Sequence, residues 1–450
     1  MISKKEQILN ILNIKSNFDI FYRKVKILNK YVDLVYLTTL VDSYLVLETI
    51  KSIKAINNKS IIQEKISTPQ VKYEEDISLL LEAFYNGEVL IFYREYSFRV
   101  DCKKLPVRSI DEPYSEKAIR GSRDGFNESL NTNIGLIRLR IKSSHLTTEI
   151  INVSTYGKTS VCLVYLNDKV DYKIVDELKR RINNVKANSL IMTDRSLEEK
   201  IFDQEKIIYP LVRYTERPDV GAIHVMNGKV LILVDTSCSA LITPISLMDH
   251  LKHVEEFRQT PLIGTFTKIL RVISIVMSLF LSPTILALYT DHDISNYFSL
   301  RTSATNGQLG FEMIVGTLIL EIFRIAVVHT PTPLVGAISL VSALVLGQIS
   351  IELGIFSNEV LLVVCISSIC GFATPSYELS LSNKLVSLIL LLVVAIFKME
   401  GYIICLILLF LYLVNIKTFD IPYLYPLCPL DIKKLLSFFI RPSSDDKKNL

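Results

Sequence analysis

Tryptophan is absent from this chain of 450 residues, and histidine and cysteine are scarce, at six and seven. The cysteines (Cys102, Cys162, Cys238, Cys365, Cys370, Cys405, Cys428) are scattered, and none is spaced with a second Cys and a His as a zinc site requires. They read as free, reduced thiols rather than a disulfide framework. Among the histidines only His250 and His253, with Glu256, recur at helical spacing. A solvated helix face explains that better than a metal site, so no metal and no cofactor is expected. There is no Lys/Arg block and no basic stripe interleaved with aromatics, and a net charge of +4 is too mild for nucleic acid. No GK[ST] follows the glycines near residue 121, which excludes a P-loop, and no G-x-S-x-G elbow surrounds the serines of Asp235–Ser239. No enzymatic chemistry is expected. The N-terminus lacks an uninterrupted apolar core and a small-residue cleavage site, so it does not read as secretory and the segment behind it is expected to stay in the cytoplasm.

Charge is the other local absence. Half the residues are hydrophobic and only 21% are charged, but the shortage is concentrated beyond about residue 271. Val272 to Thr290 is 19 residues without a charge, and Leu334 to Ile351 and Val360 to Tyr377 are 18 each. At 1.5 Å per residue such runs match a hydrocarbon core of ~30 Å. Met313 to Val328 is interrupted by Glu321 and Arg324, and Leu385 to Phe397 and Gly401 to Ile416 flank Lys398, as two short spans or a hairpin. Lys252, Lys268 and Arg271 precede the first run and Lys417, Lys433, Lys434, Arg441, Lys447 and Lys448 follow the last, while Asp291 and Asp293 outnumber Arg301 in the loop between. By the positive-inside rule both ends face the cytoplasm, and the number of crossings is even, four to six.

The fold expected is mixed. A cytoplasmic α/β or α+β region, 1–270, carries two subdomains near 30–150 and 151–250; a polytopic helical membrane domain, 271–417, and a cytoplasmic tail, 418–450, follow. Leu34, Leu37, Val41, Leu45 and Thr49 recur as on a helix. Glu88 to Val100 and Ser160 to Leu166 read as strands, the latter leading into a helix over 171–182. Gly221–Val225 and Val230–Asp235, joined by Asn227-Gly228, read as a type I′ hairpin.

Three features could carry function. Arg120 and Arg123, with Gly121, Gly125 and the preceding Glu112, could cradle an anion, though a turn held by arginine–carboxylate pairing to Glu112 or Glu116 is the stronger reading. Glu321 and Arg324, at i, i+3, could pair inside the membrane or along an interfacial helix. Gly336, Ser339, Ala343, Gly347 and Ser350 form a small-residue stripe, with Gln348 and Glu352 near its end, suited to close helix packing or to lining a pore.

The run from Glu112 to Ile141, containing RGSRDGFNESLNTNIGLIRLRI, resembles the signature of the GerA family of spore germination proteins, and TERPDVGAIHVMNGKVLILVDTS from Thr215 to Ser237 resembles its second signature. PTPLVGAISLVSALVLGQ and FDIPYLYPLCPL follow in family order, and the similarity covers roughly residues 30 to 435. The chain departs from the pattern at Cys238, where the family shows proline. The segment His253–Phe266 is more similar to the stage V sporulation branch than to the nutrient-receptor A subunits. The resemblance implies a spore inner-membrane protein that assembles as a homo-oligomer, a pentamer, and conducts or amplifies ion release during germination. Its partners would be a small membrane subunit or, in the receptor branch, B and C subunits; a non-conducting scaffold is the competing reading. Ser339, Ala343, Gly347, Gln348 and Ser350 are then the expected pore lining. Glu112, Arg120, Arg123, Arg217 and Asp219 are expected to hold the polar region together or couple subunits.

Overall fold

The computed structural model describes residues 4–27, 30–53, 71–94, 96–104, 113, 116, 121–153, 158–185, 192–202, 207–253, 255–256, 259–290, 306–330 and 332–439. Its contacts divide the chain into a sheet unit, Met1–Lys206 with Val212–Pro244, and a helical unit, Ile207–Leu211 with Ile245–Leu450.

The sheet unit begins with α1 (Lys4–Leu12), β1 (Ile20–Ile27), β2 (Lys30–Leu37), α2 (Ser43–Ile53), β3 (Val71–Tyr73), α3 (Ile77–Tyr85), β4 (Glu88–Tyr93) and β5 (Tyr96–Asp101). The strands form one antiparallel sheet in the order β1-β2-β4-β5-β3. The helical spacing read from Leu34 onward holds for α2 but not ahead of it, where Leu34 and Leu37 belong to β2. Val32 and Leu34 enter one core with Val89, Ile91 and Phe98, while Val35 and Leu37 enter the opposite core with Ile8, Leu80 and Phe84. A strand buried on both faces loses the alternation that would reveal it.

A second antiparallel sheet follows, in the order β6-β7-β9-β10-β8. Its elements are α4 (Leu130–Arg140), β6 (Leu146–Val153), β7 (Thr159–Leu166), α5 (Tyr172–Asn183), α6 (Thr193–Phe202), β8 (Arg213–Thr215), α7 (Pro218–Met226), β9 (Val230–Val234) and β10 (Ala240–Thr243). The pairing throughout is antiparallel, the α+β form of the mixed class. The strand and helix expected over 160–182 are β7 and α5, the latter capped by Asp171, which accepts from the Lys173 amide.

The hairpin expected around Asn227-Gly228 is instead a helix, a turn and a strand. Pro218 stands at the first helical position with Asp219 in the first turn, both suited to a helix start. After Asn227 the Gly228 amide donates to the Val225 carbonyl and the Lys229 amide to His224, closing a Schellman turn. Gly228 has φ +82°, and a Cβ there would lie 2.7 Å from the Lys169 carbonyl oxygen. Gly228→Ala is therefore expected to cost about 1–3 kcal/mol, read as a fall in the thermal transition of the full-length protein. An unchanged transition would contradict the strain.

The helical unit contains α8 (Pro261–Thr290), α9 (Asn306–His329), α10 (Thr332–Ala343), α11 (Asn358–Phe372), α12 (Tyr377–Asn415) and α13 (Ile432–Phe439). A π-helical turn, Leu344–Ile349, and Ser350–Glu352 prolong α10. By length and apolarity Pro261–Thr290, Leu334–Glu352 and Tyr377–Asn415 could cross a membrane. The run expected over Val360–Tyr377 forms only the 15-residue α11, because Pro375 disfavours helical backbone just before it.

α12 is two helices. Lys398 leaves helical geometry at φ 54°, ψ −145°. Ser382 Oγ donates to the Ile208 carbonyl (2.7 Å) and the Ile208 amide donates to Tyr412 Oη (3.0 Å). A continuous helix would hold Ser382 and Tyr412 ~45 Å apart. The chain therefore reverses at Lys398 and the two arms lie antiparallel, the hairpin alternative for 385–416. The other helices alternate likewise. Glu312, near the start of α9, accepts from the Ser357 amide (3.0 Å) and hydroxyl (2.9 Å) at the start of α11. Thr284, near the end of α8, shares a hydrogen bond with Tyr402, just past the reversal.

Candidate functional site

In the sheet unit the two motif segments lie against each other. Arg217, 1% exposed, makes a two-pronged pair with Asp219 (Nε–Oδ1 3.0 Å, Nη2–Oδ2 2.8 Å). Its remaining donors reach the carbonyls of Glu116 (3.2 Å) and Ser122 (2.9 Å). Glu116 is itself buried, accepting from Arg213 (3.3 Å) and from the Thr215 hydroxyl. Backbone bonds continue the seam, from the Phe126 amide to the Glu216 carbonyl (2.7 Å) and from the Thr236 amide to the Glu128 carbonyl (2.9 Å). Asn133 serves as a local splint, its side-chain amide bonding both the amide and the carbonyl of Asn127.

Of the expected coupling residues, Arg217 and Asp219 are thus brought together, while Glu116 serves Arg213 of β8 with its carboxylate and Arg217 with its main-chain carbonyl. Arg123 is exposed. Glu112 and Arg120 lie outside the described residues. The serines of Asp235–Ser239 bond to Asp194: Ser237 Oγ donates at 3.0 Å and Ser239 Oγ donates to the same oxygen.

Sequence reading missed a second buried centre. Arg138, on α4, grips Asp19 with both Nε and Nη2 at 2.7 Å and donates to the Leu146 carbonyl (3.0 Å) and Asn17 (2.9 Å). Thr148, on β6, donates to Asp19 (2.6 Å). The pair is sealed, at 1% and 0% exposure, and ties the entry of the first sheet to the second. Burial first, then the Asp19 charge, pushes the Cys162 thiol up, and burial raises Tyr85 to about 12. A separation of 119 residues hid this pair; the only hint was an arginine inside the apolar face of α4.

In the helical unit Glu321 and Arg324 do pair, across one turn of α9 and largely out of solvent. Arg324 also reaches Ser380 (3.4 Å) and lies over the Tyr377 ring. Lys384, on α12, donates to Ser368 of α11 (3.1 Å). The small-residue stripe is spread differently. Ser339, Ala343 and Gln348 are exposed, Gly347 is half-buried, and a Cβ at Gly336 or Gly347 would meet nothing within 4 Å. Ser350 is buried and donates to the Gly347 carbonyl (3.3 Å). His250, of the histidine face, is buried with Nδ1 3.1 Å from Ser376 Oγ. All seven cysteines are unpaired.

Two antiparallel sheets tied by the buried Asp19–Arg138 pair, followed by a bundle of apolar helices, define an α+β protein with a helical unit suited to a membrane. Over residues 6–449 the sequence matches the family described as Bacillus/Clostridium GerA spore germination protein, and the chain belongs to that family. Stage V sporulation protein AF of Bacillus subtilis (strain 168) is 34% identical across 99% of this chain and 93% of its own length. Spore germination protein KA of the same strain is 30% identical, covering 92% of this chain and 79% of that protein. The crystallised N-terminal domain of the A subunit of the Bacillus megaterium spore germinant receptor GerK3 aligns with 53% of this chain and 92% of its own, at 25% identity and a TM-score of 0.41.

Proposed function

We propose that this chain is one subunit of a homo-oligomeric ion channel that conducts or amplifies ion release during germination. It sits in the spore inner membrane, with six crossings and with the sheet unit and C-terminus on the cytoplasmic side. The observation that supports conduction is the uncovered helix Leu334–Glu352, of which only 7% of the apolar window is buried within the chain. Its exposed Ser339, Ala343 and Gln348 and its open Gly336 and Gly347 need another surface or water to complete them. The π-helical turn that carries Gly347 and Gln348 is a form concentrated at functional sites. The alternation of the helices, with the reversal at Lys398, supports an even number of crossings.

Gly347→Leu is the direct test, because a Cβ there meets nothing within 4 Å and the effect on folding is expected to stay within about 0.5 kcal/mol. Ion flux through the purified protein in liposomes is expected to change by about tenfold or more, blocked or constitutively open, with the oligomer intact. Absence of flux from intact wild-type oligomer would favour a scaffold that organises receptors without conducting. A second reading, the A subunit of a nutrient receptor acting with B and C subunits, is supported by similarity to spore germination proteins KA and A1 of Bacillus subtilis. Co-purification with such subunits distinguishes it from the stage V branch.

A further inference from the structure

Where α8, α9, α11 and the first arm of α12 converge, a cavity of about 170 Å³ opens among apolar side chains. Six polar residues face it: Glu321 and Arg324 from α9, Ser278 from α8, Ser368 from α11, and Ser380 and Lys384 from α12. Two cations against one carboxylate leave the lining with one positive charge. Lys384 is ~10 Å inside α12, where a bare ion is expensive and normally finds a counter-charge.

The hydrogen bonds are lopsided in the same direction. Arg324 spends Nη2 on Glu321 and Nη1 on a long contact to Ser380, while its Nε is sealed from solvent without a hydrogen-bond partner among the described residues. Ser380 donates its own proton to the Gly371 carbonyl (3.1 Å), so it serves Arg324 only as an acceptor. Lys384 has three donors, of which Ser368 takes one. The lining therefore offers charged N–H groups in excess of acceptors and contains one carboxylate to balance two cations.

We propose that this cavity binds a small singly charged oxyanion, of carboxylate or phosphate type, held by Lys384 and Arg324, with Glu321 limiting how tightly it binds. The volume admits a phosphate-sized ion, whose oxygens would accept from the charged N–H groups, the Ser278 and Ser380 hydroxyls being committed to the Ile275 and Gly371 carbonyls. The site stands apart from the channel reading: it requires neither conduction nor an oligomer. The oxyanion can come from solution or from the headgroup of an acidic phospholipid.

Full-length protein, purified in neutral detergent, would be titrated with inorganic phosphate and with acetate at constant ionic strength, using thermal unfolding as the readout. In parallel it would be compared in phosphatidylcholine nanodiscs with and without phosphatidylglycerol. Saturable stabilisation by a soluble anion assigns the oxyanion to solution; stabilisation by phosphatidylglycerol alone assigns it to a headgroup. In either case Lys384→Met is expected to weaken binding about tenfold or more, and Glu321→Gln to tighten it, opposite signs that a general loss of folding would not produce. Lack of stabilisation in both arms, or equal stabilisation of wild type and Lys384→Met, would overturn the proposal.

Discussion

Replacing Asp19 by Asn, or Arg138 by Met, is expected to destabilise the sheet unit by about 3–5 kcal/mol, because each leaves a buried charge without its counter-charge. For a unit of this size that is a fall on the order of 10 °C in its thermal transition. The argument rests on inventory. Arg138 is 1% exposed and makes five hydrogen bonds, three to side chains that precede β1 and two within the second sheet's region. Losing the guanidinium would strand Asp19, whose other described side-chain partner is Thr148. Losing the carboxylate would leave a guanidinium that water cannot reach. Hydrogen exchange should locate the damage at the Phe18 and Thr148 amides, which bond across this junction to the Thr148 carbonyl (2.9 Å) and to Asn17 (3.1 Å). The double replacement Asp19→Leu, Arg138→Met is expected to recover part of the loss, since removing both charges removes the stranded one. If the single variants unfold within about 1 °C of wild type, the pair is not holding the two sheets together.

The arginines of the motif segments should separate into two classes. Arg217→Met is expected to cost about 3–5 kcal/mol, while Arg123→Ala stays within about 0.5 kcal/mol. Arg217 is buried and joins Asp219 to the carbonyls of Glu116 and Ser122, so its loss orphans acceptors on a segment that is distant in sequence. Arg123 is exposed. Amide exchange at Phe126 and Thr236, whose bonds run along the same seam, should rise in the first variant and not in the second. Equal destabilisation by the two substitutions would contradict the burial on which the distinction rests.

How legible this was in the sequence depended on whether the signal was local. Leu34 and Leu37 misread as helical because a strand buried on both faces shows no alternation, whereas β7 and α5 were readable from an apolar run, a capping Asp171 and a helical polar pattern. At Asn227-Gly228 the dipeptide pointed to a hairpin, yet Pro218 and Asp219 nine and eight residues ahead were helix-start residues, and together with Gly228 they spell a helix from its first turn to its Schellman close. The Glu321–Arg324 pair was visible because it spans one turn. Asp19–Arg138, Glu116 with Arg213, and Lys384 with Ser368 were invisible because topology, rather than spacing, brings them together. The small-residue stripe was legible as a pattern, but the burial of Ser350, just past the π-helical turn, was not.

The reversal at Lys398 also bears on the bilayer that would suit this protein. The second arm, 399–415, is ~25 Å long and α11 ~22 Å, both short of a hydrocarbon core of ~30 Å. In contrast α8, at 30 residues, is long enough to tilt. With the proposed crossings, a bundle that mixes such lengths would pinch the lipid around its short members, and each ångström of mismatch carries a fraction of a kcal/mol. Acyl-chain length would then act on the fold as a solvent variable, with thin membranes relieving the strain that thick ones impose.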